Sequence, residues 1–163
     1  MNDNAIDFRK HLLICGKTEE ERKKQLNDIL DSCPLEIFRF PKAMISLNEY
    51  LTFVQSEGLY SPFYETKGKY NLNQIFDFHL DWITENNCLF VFEEFDKADH
   101  KFSSEIFRIM INTLEKARKS AVKIIGSFED ESELIRNLNE AVNETPYKTQ
   151  SEVVKSNLQI IYL

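Results

Sequence analysis

The sequence predicts an α/β fold, a three-layer sandwich on a five-stranded, mostly parallel sheet. Three observations carry that reading. Five short apolar runs recur along the 163 residues, separated by stretches whose apolar residues repeat at helical spacing. One run, Cys88-Leu89-Phe90-Val91-Phe92, shows no polar alternation, as expected of a strand buried on both faces. That run passes directly into Glu93, Glu94 and Asp96, at the C-terminal end of the strand, where open α/β sheets place their ligands.

The elements follow in order. Residues 11–15 (HLLIC) form a first strand that stops at Gly16. Residues 18–33 read as a helix: Thr18 and Glu21 have the capping-box spacing, Leu26, Ile29, Leu30 and Cys33 make one stripe, and Pro34 ends it. A second strand is expected over 35–40. Ser46 and Glu49 then cap a helix that turns Leu47, Tyr50, Leu51 and Val54 inward.

Residues 57–70 are irregular and hold two of the four glycines, together with Tyr60, Phe63, Tyr64 and Tyr70. Aromatic rings in a polar, glycine-bearing segment serve either as interface anchors or as a local cluster folded onto the core. Asn71 and Gln74 open a further helix with Leu72, Ile75, Phe76, His79, Leu80 and Ile83 on one side. His79 reads as a core histidine, since no second ligand-type residue stands at matching spacing. The run 88–92 is taken as the central strand, followed by a helix over 103–119, a strand over 121–127, a helix over 131–142 and a last strand over 158–163. No repeat, low-complexity tract or linker divides the chain, so residues 1–163 are expected to form a single domain.

Composition narrows the function classes. A hydrophobic fraction of 42%, with many Phe, supplies a core and argues against disorder. Net charge is −7 with no dense basic block, so direct nucleic-acid binding is disfavoured. The three cysteines (Cys15, Cys33, Cys88) are far apart and lack a CxxC spacing, which makes them buried thiols rather than zinc or redox ligands. No apolar run nears the roughly 18 residues of a membrane span, and no signal-peptide core opens the sequence; a cytoplasmic location is expected.

With the elements in order, nearly the whole chain resembles the core of the AAA+ branch of P-loop ATPases. CLFVFEEFDKAD resembles a Walker B strand, with Glu93 standing where an Asp helps to hold Mg²⁺ and Glu94 aligned with the water-activating Glu. Gly16-Lys17-Thr18 looks like the tail of a Walker A motif. The resemblance implies a P-loop NTPase-type sheet of order 5-1-4-3-2. It also implies a nucleotide site at Gly16, Lys17 and Thr18, a catalytic role for Glu94, and a metal held by Glu93 and Asp96.

The chain departs from the family pattern in several places. The motif G-x-x-x-x-G-K-[ST] would put its first glycine on His11, inside the first strand, so the glycine loop is missing. Phe128 and Glu129 stand where the polar sensor pair is expected. No arginine lies between Asn139 and Asn157 to serve as a finger, and no lid domain is expected after the last strand. Walker A, Walker B and sensor motifs are all degenerate in this alignment.

Each candidate also has a plain structural reading. Gly16 permits a sharp strand-to-helix turn, Thr18 caps the helix, and Lys17 is solvated. The acids Glu93, Glu94, Asp96 and Asp99 solvate a loop or favour the next helix dipole. A cation is the competing reading, but the E-x-K spacing of metal nucleases is overshot by one residue between Glu94 and Lys97. A phospho-acceptor receiver domain wants an acidic pair after the first strand, where this chain has Gly-Lys-Thr.

The preferred reading is a catalytically inactive AAA+-like module that acts as a protein-interaction or regulatory scaffold, without a cofactor. Its partner would be a protein, either an active ATPase or a second copy. The alternative is a weak or partner-completed ATPase that takes ATP and Mg²⁺ through Lys17, Thr18 and Glu94. A third is a metal-binding or nucleic-acid-processing domain built on the acids.

Overall fold

The computed structural model describes residues 5–41, 46–61, 70–97, 121–133, 136, 139 and 158–163. Within them five strands form one parallel sheet: β1 (His11–Cys15), β2 (Glu36–Arg39), β3 (Cys88–Phe92), β4 (Lys123–Phe128) and β5 (Leu158–Tyr162). Their spatial order is β2-β3-β4-β1-β5, which is the order 5-1-4-3-2 that the resemblance implies. The described helices are α1 (Glu19–Asp31), α2 (Leu47–Glu57) and α3 (Leu72–Glu85), with a single 3-10 turn at Phe95–Lys97 after β3. Residues 131–133, 136 and 139 are helical, within the helix expected there. The helix expected over 103–119 lies outside the described residues, as do Phe63 and Tyr64.

The unalternating apolar runs are explained by two cores. Because successive strand residues point to opposite faces, Leu12 and Ile14 of β1 and Leu89 and Val91 of β3 pack with Leu26, Ile29 and Leu30 of α1. Their neighbours Leu13, Cys15, Phe90 and Phe92 pack on the other face with Tyr50, Leu51 and Val54 of α2 and Ile75 and Ile83 of α3. β3 is interior but not central: β4 occupies the middle, with β3 and β1 beside it. Apolarity alone does not separate these positions, because every interior strand of such a sheet is covered on both faces.

Helix ends behave as their sequences dictate. Ser46 accepts the Glu49 backbone N–H at 3.2 Å, and Asn71 and Gln74 form a reciprocal capping box. Gly58 closes α2 in the left-handed region at φ 68°, which glycine adopts without strain.

The α2–α3 face is markedly aromatic. Phe40 stacks on Tyr50 at 5.1 Å and on Phe92 at 4.6 Å, while Phe90 meets Phe38, Phe40 and Trp82. Tyr60 and Tyr70 are half-buried, pack edge-on to each other and rest against this core.

His79 is a core residue. It is 1% exposed, its Nδ1 lies 2.6 Å from the Leu59 carbonyl, and its Nε2 lies 2.5 Å from the Tyr50 hydroxyl. A carbonyl only accepts, so Nδ1–H donates to Leu59 and Nε2 accepts the Tyr50 O–H. The imidazole is therefore neutral, and burial holds its pKa down to about 4 from 6.5.

Two predictions follow from this packing. Phe92→Ala removes a ring held between Phe40, Tyr50 and Phe95 and should cost about 3–5 kcal/mol in urea melts; a loss below about 1 kcal/mol would show that the ring is not part of a filled core. For His79, the unfolded chain takes up a proton below its ordinary pKa of 6.5 while the folded chain resists until about 4. Stability is thus full above pH 6.5 and drains as pH falls toward 4, by up to about 3 kcal/mol from this group. Comparing wild type with His79→Phe at pH 7 and pH 4.5 isolates that contribution; identical acid losses in both would sink it.

Candidate functional site

The residues singled out in the sequence converge on the C-terminal end of the sheet, around the β1–α1 junction and the turn after β3. Only Gly16, Lys17 and Thr18 separate β1 from α1. The Gly16 N–H donates to the Phe128 carbonyl at 3.1 Å, continuing the β1–β4 ladder one residue past the strand. Gly16 does not use a left-handed backbone; among the described glycines only Gly58 does. Position 16 is instead closely approached by the half-exposed Leu163 side chain. A Cβ there would lie 2.9 Å from Leu163 Cδ1 and 3.0 Å from Leu163 Cβ, and the Leu163 N–H donates to the Cys15 carbonyl at 2.9 Å.

Thr18 is the N-cap of α1, accepting the Glu21 backbone N–H at 3.3 Å. The box is not reciprocal: the Glu21 carboxylate accepts a hydrogen bond from the Thr18 hydroxyl at 2.8 Å rather than from the Thr18 backbone N–H. Lys17 is exposed.

Beyond these residues lies a group that the sequence reading did not single out. Arg22, one turn into α1, is 2% exposed. Its Nη1 donates to the Gly16 carbonyl at 2.7 Å, and its Nη2 donates to both oxygens of Glu94 at 2.8 and 3.1 Å. Its Nε, also buried, has no hydrogen-bond partner among the described residues. The signal was present in the spacing: Arg22 stands four residues before Leu26 and therefore extends the buried stripe of α1 by one turn.

Glu94 is buried as well, with a left-handed backbone at φ 53°, a conformation that costs a side-chain-bearing residue about 1–2 kcal/mol. Its backbone N–H donates to Ser127 Oγ at 3.0 Å, tying the turn to β4. Lys97 Nζ lies 3.2 Å from Glu94 Oε2 and 3.5 Å from Glu129 Oε2. The hydrogen bond to Glu94, then its charge, raises the Lys97 pKa above the ordinary lysine value. Two cations and two carboxylates thus close into one network across four segments.

Glu93 stands apart from that network, half-buried and 3.7 Å from Arg39 Nη1 on β2. The Asp96 backbone belongs to the 3-10 turn, while its side chain and all of Asp99 lie outside the described residues. Among the described residues, no group of three or more His, Cys, Asp or Glu side chains is placed to hold a metal ion. Nor is any described helix long and apolar enough to cross a membrane. A cleft beside Arg22 is walled by Glu19, Lys23, Glu93 and Ser127.

No protein-family model matches the sequence, and no curated protein does. Solved structures do share its fold. One is the Drosophila ORC bound to AT-rich DNA and Cdc6, at TM-score 0.53 and 13% identity, with 93% of this chain and 47% of that one covered. Another is Cdc6p from Pyrobaculum aerophilum, at TM-score 0.52 and 8% identity, with 93% and 38% covered. This chain therefore spans less than half the length of either. What it shares with them is the fold, an α/β architecture on a five-stranded parallel sheet.

The crowding at Gly16 gives a direct test. Gly16→Ala should force Leu163 outward and destabilise the protein by about 1–3 kcal/mol, as overpacking does. Leu163→Ala in the same background should recover most of that loss. If Gly16→Ala melts like wild type, close approach is not what holds glycine at this position.

Proposed function

We propose that this chain is a catalytically inactive AAA+ ATPase-like module that serves as a protein-interaction or regulatory scaffold. The observation that carries the reading is the β1–α1 junction. A phosphate loop works by presenting several uncommitted backbone amides to the phosphates at a helix N-terminus. Here the junction is three residues long, the Gly16 amide is spent on Phe128, and the Thr18 hydroxyl caps the helix through the Glu21 amide. The far side of Gly16 is filled by Leu163.

The other parts argue the same way. Glu94, which the resemblance makes the water-activating group, has both oxygens on Arg22 and one on Lys97. Those contacts engage three of the roughly four lone-pair sites of a buried carboxylate, which leaves little of it within reach of a water whose proton it would take. Glu93, the counterpart of the metal-binding acid, faces Arg39. Phe128 is fully buried at the end of β4 and offers no polar atom to a water. The residues present thus do not fit ATP–Mg²⁺, and neither Gly16, Lys17 and Thr18 nor Glu93 and Asp96 are assigned a ligand in this reading.

A module of this kind acts through its surface, as one domain, on a protein partner: an active ATPase of the same fold or a second copy of itself. The Drosophila structure, an ORC assembly with Cdc6, shows a protein of this fold within a multi-protein complex. The net charge of −7 keeps direct nucleic-acid binding disfavoured for this chain, although that neighbour binds DNA. A cytoplasmic location accompanies the proposal.

Calorimetric titration of ATP–Mg²⁺ into the purified protein decides between this reading and a weak ATPase. The expected dissociation constant is weaker than about 1 mM, near −4 kcal/mol. Micromolar binding that disappears in Lys17→Ala would defeat the inactive-module reading and establish Lys17 as a nucleotide ligand.

A further inference from the structure

We propose that Arg22 is a built-in cation: its guanidinium neutralises Glu94 from within, and this contact holds the ligand end of the sheet shut. The inference deepens the reading of this site as inactive, and it adds what occupies the site and what would be recognised if the occupant were removed.

Burial sets the requirement. Glu94 is 6% exposed, and a carboxylate withdrawn from water must be paired and hydrogen-bonded. In folds that carry ligands at this pole, an external cation can meet that need. In this chain the need is met by Arg22, with two hydrogen bonds from one nitrogen to both Glu94 oxygens.

Geometry favours an internal origin for the charge. Arg22 starts from the first turns of α1, and its other terminal nitrogen is fixed by the Gly16 carbonyl. The guanidinium therefore spans from the β1–α1 junction to the turn after β3. Ser127, which receives the Glu94 N–H, adds β4 to the same clasp. Lys97 reinforces Glu94 from outside, but it is half-exposed and shared with Glu129.

The surroundings fix the chemical class that the pole would accept. Three carboxylates, Glu19, Glu93 and Glu94, wall the cleft beside Arg22, against one other cation, Lys23, with Leu26 and Ser127 completing it. Emptying it of Arg22 leaves a carboxylate-lined hole with the shape and hydrogen-bond pattern of a small planar cation. Phosphate is the wrong sign for that hole. Guanidinium matches it, because its planar N–H fork reproduces what Arg22 presents.

The test is chemical rescue in the full chain. Arg22→Ala should lower Tm by about 10 °C, the scale expected when one partner of a buried pair is removed. Millimolar guanidinium chloride should then raise the Tm of Arg22→Ala in a saturable manner, beyond matched sodium chloride and urea. Wild type should show no such rise, and neither should Arg22→Ala/Glu94→Gln. A rescue absent in Arg22→Ala, or equal in the double variant, would overturn the proposal.

If Arg22→Ala does not fold, Arg22→Met is compared with Arg22→Met/Glu94→Gln. The double variant should be the more stable, because it no longer buries a carboxylate left with the half-exposed Lys97 as its remaining cation among the described residues. Equal instability in the two would show that Arg22 acts through packing and its Gly16 bond, not its charge, and would overturn the proposal. Inorganic triphosphate supplies the opposing arm: stabilisation of wild type at millimolar concentration, lost in Arg22→Ala, would make Arg22 an anion-binding group and sink the built-in-cation account. Failure of the rescue leaves the ATP–Mg²⁺ titration untouched, so the two readings fall separately.

Discussion

A guanidinium and a carboxylate taken almost wholly out of water set the terms for one end of this molecule. Each ion alone would cost several kcal/mol to bury, and only close, well-hydrogen-bonded pairing offsets that. Arg22 and Glu94 achieve the pairing by recruiting structure around them. Glu94 accepts a left-handed backbone, its amide is met by Ser127, and the second arm of Arg22 is met by the Gly16 carbonyl. The β1–α1 junction, the start of α1, the turn after β3 and the end of β4 are fixed relative to one another by that single requirement. Among the described residues the buried Nε of Arg22 is left without a partner. An apolar pair of similar volume would avoid that cost.

The same requirement bears on what this pole can do. Sheets of this class put ligands beyond the carboxyl ends of their strands because helix N-termini and loop amides meet there. In this chain the short junction converts the Gly16 amide into an extension of the β1–β4 ladder, and Leu163 covers the face where a glycine backbone would otherwise stand open. The acids Glu93 and Glu94 at this pole are met by Arg22, Lys97 and Arg39. Under the proposed function, that internal pairing takes the place of a bound cation.

Much of the fold was legible because burial on two faces leaves a plain mark. β1 and β3 stand at the predicted bounds, and the caps at Thr18, Ser46 and Asn71 are where their side-chain oxygens put them. The sheet order followed from the resemblance and not from periodicity, and placing β3 in the centre erred for that reason. Gly16 was identified as special, but for its backbone; the actual cause is Leu163, 147 positions along the chain, and no local pattern reports such a contact. Arg22 was the larger omission. A charged residue in register with Leu26, Ile29 and Leu30 is easily taken as the edge of the polar face, since long side chains commonly carry their charge out to water. Its burial depends on Glu94, 72 residues away, and only tertiary structure supplies that partner.

An ion pair that closes a ligand site from within also changes how the fold can be regulated. A ligand shifts a conformational equilibrium only through differential affinity for two states, and it stabilises a fold only by binding the folded form. When the counter-charge is covalently part of α1, its effective concentration is set by the chain and not by solution. The clasp across β1, β3 and β4 is then as firm in the absence of nucleotide as in its presence. Under the proposed function this is the useful property: a partner meets one constant surface, and any control over the assembly must come from the partner or from the faces of α1, α2 and α3 rather than from a ligand cycle at the sheet's end.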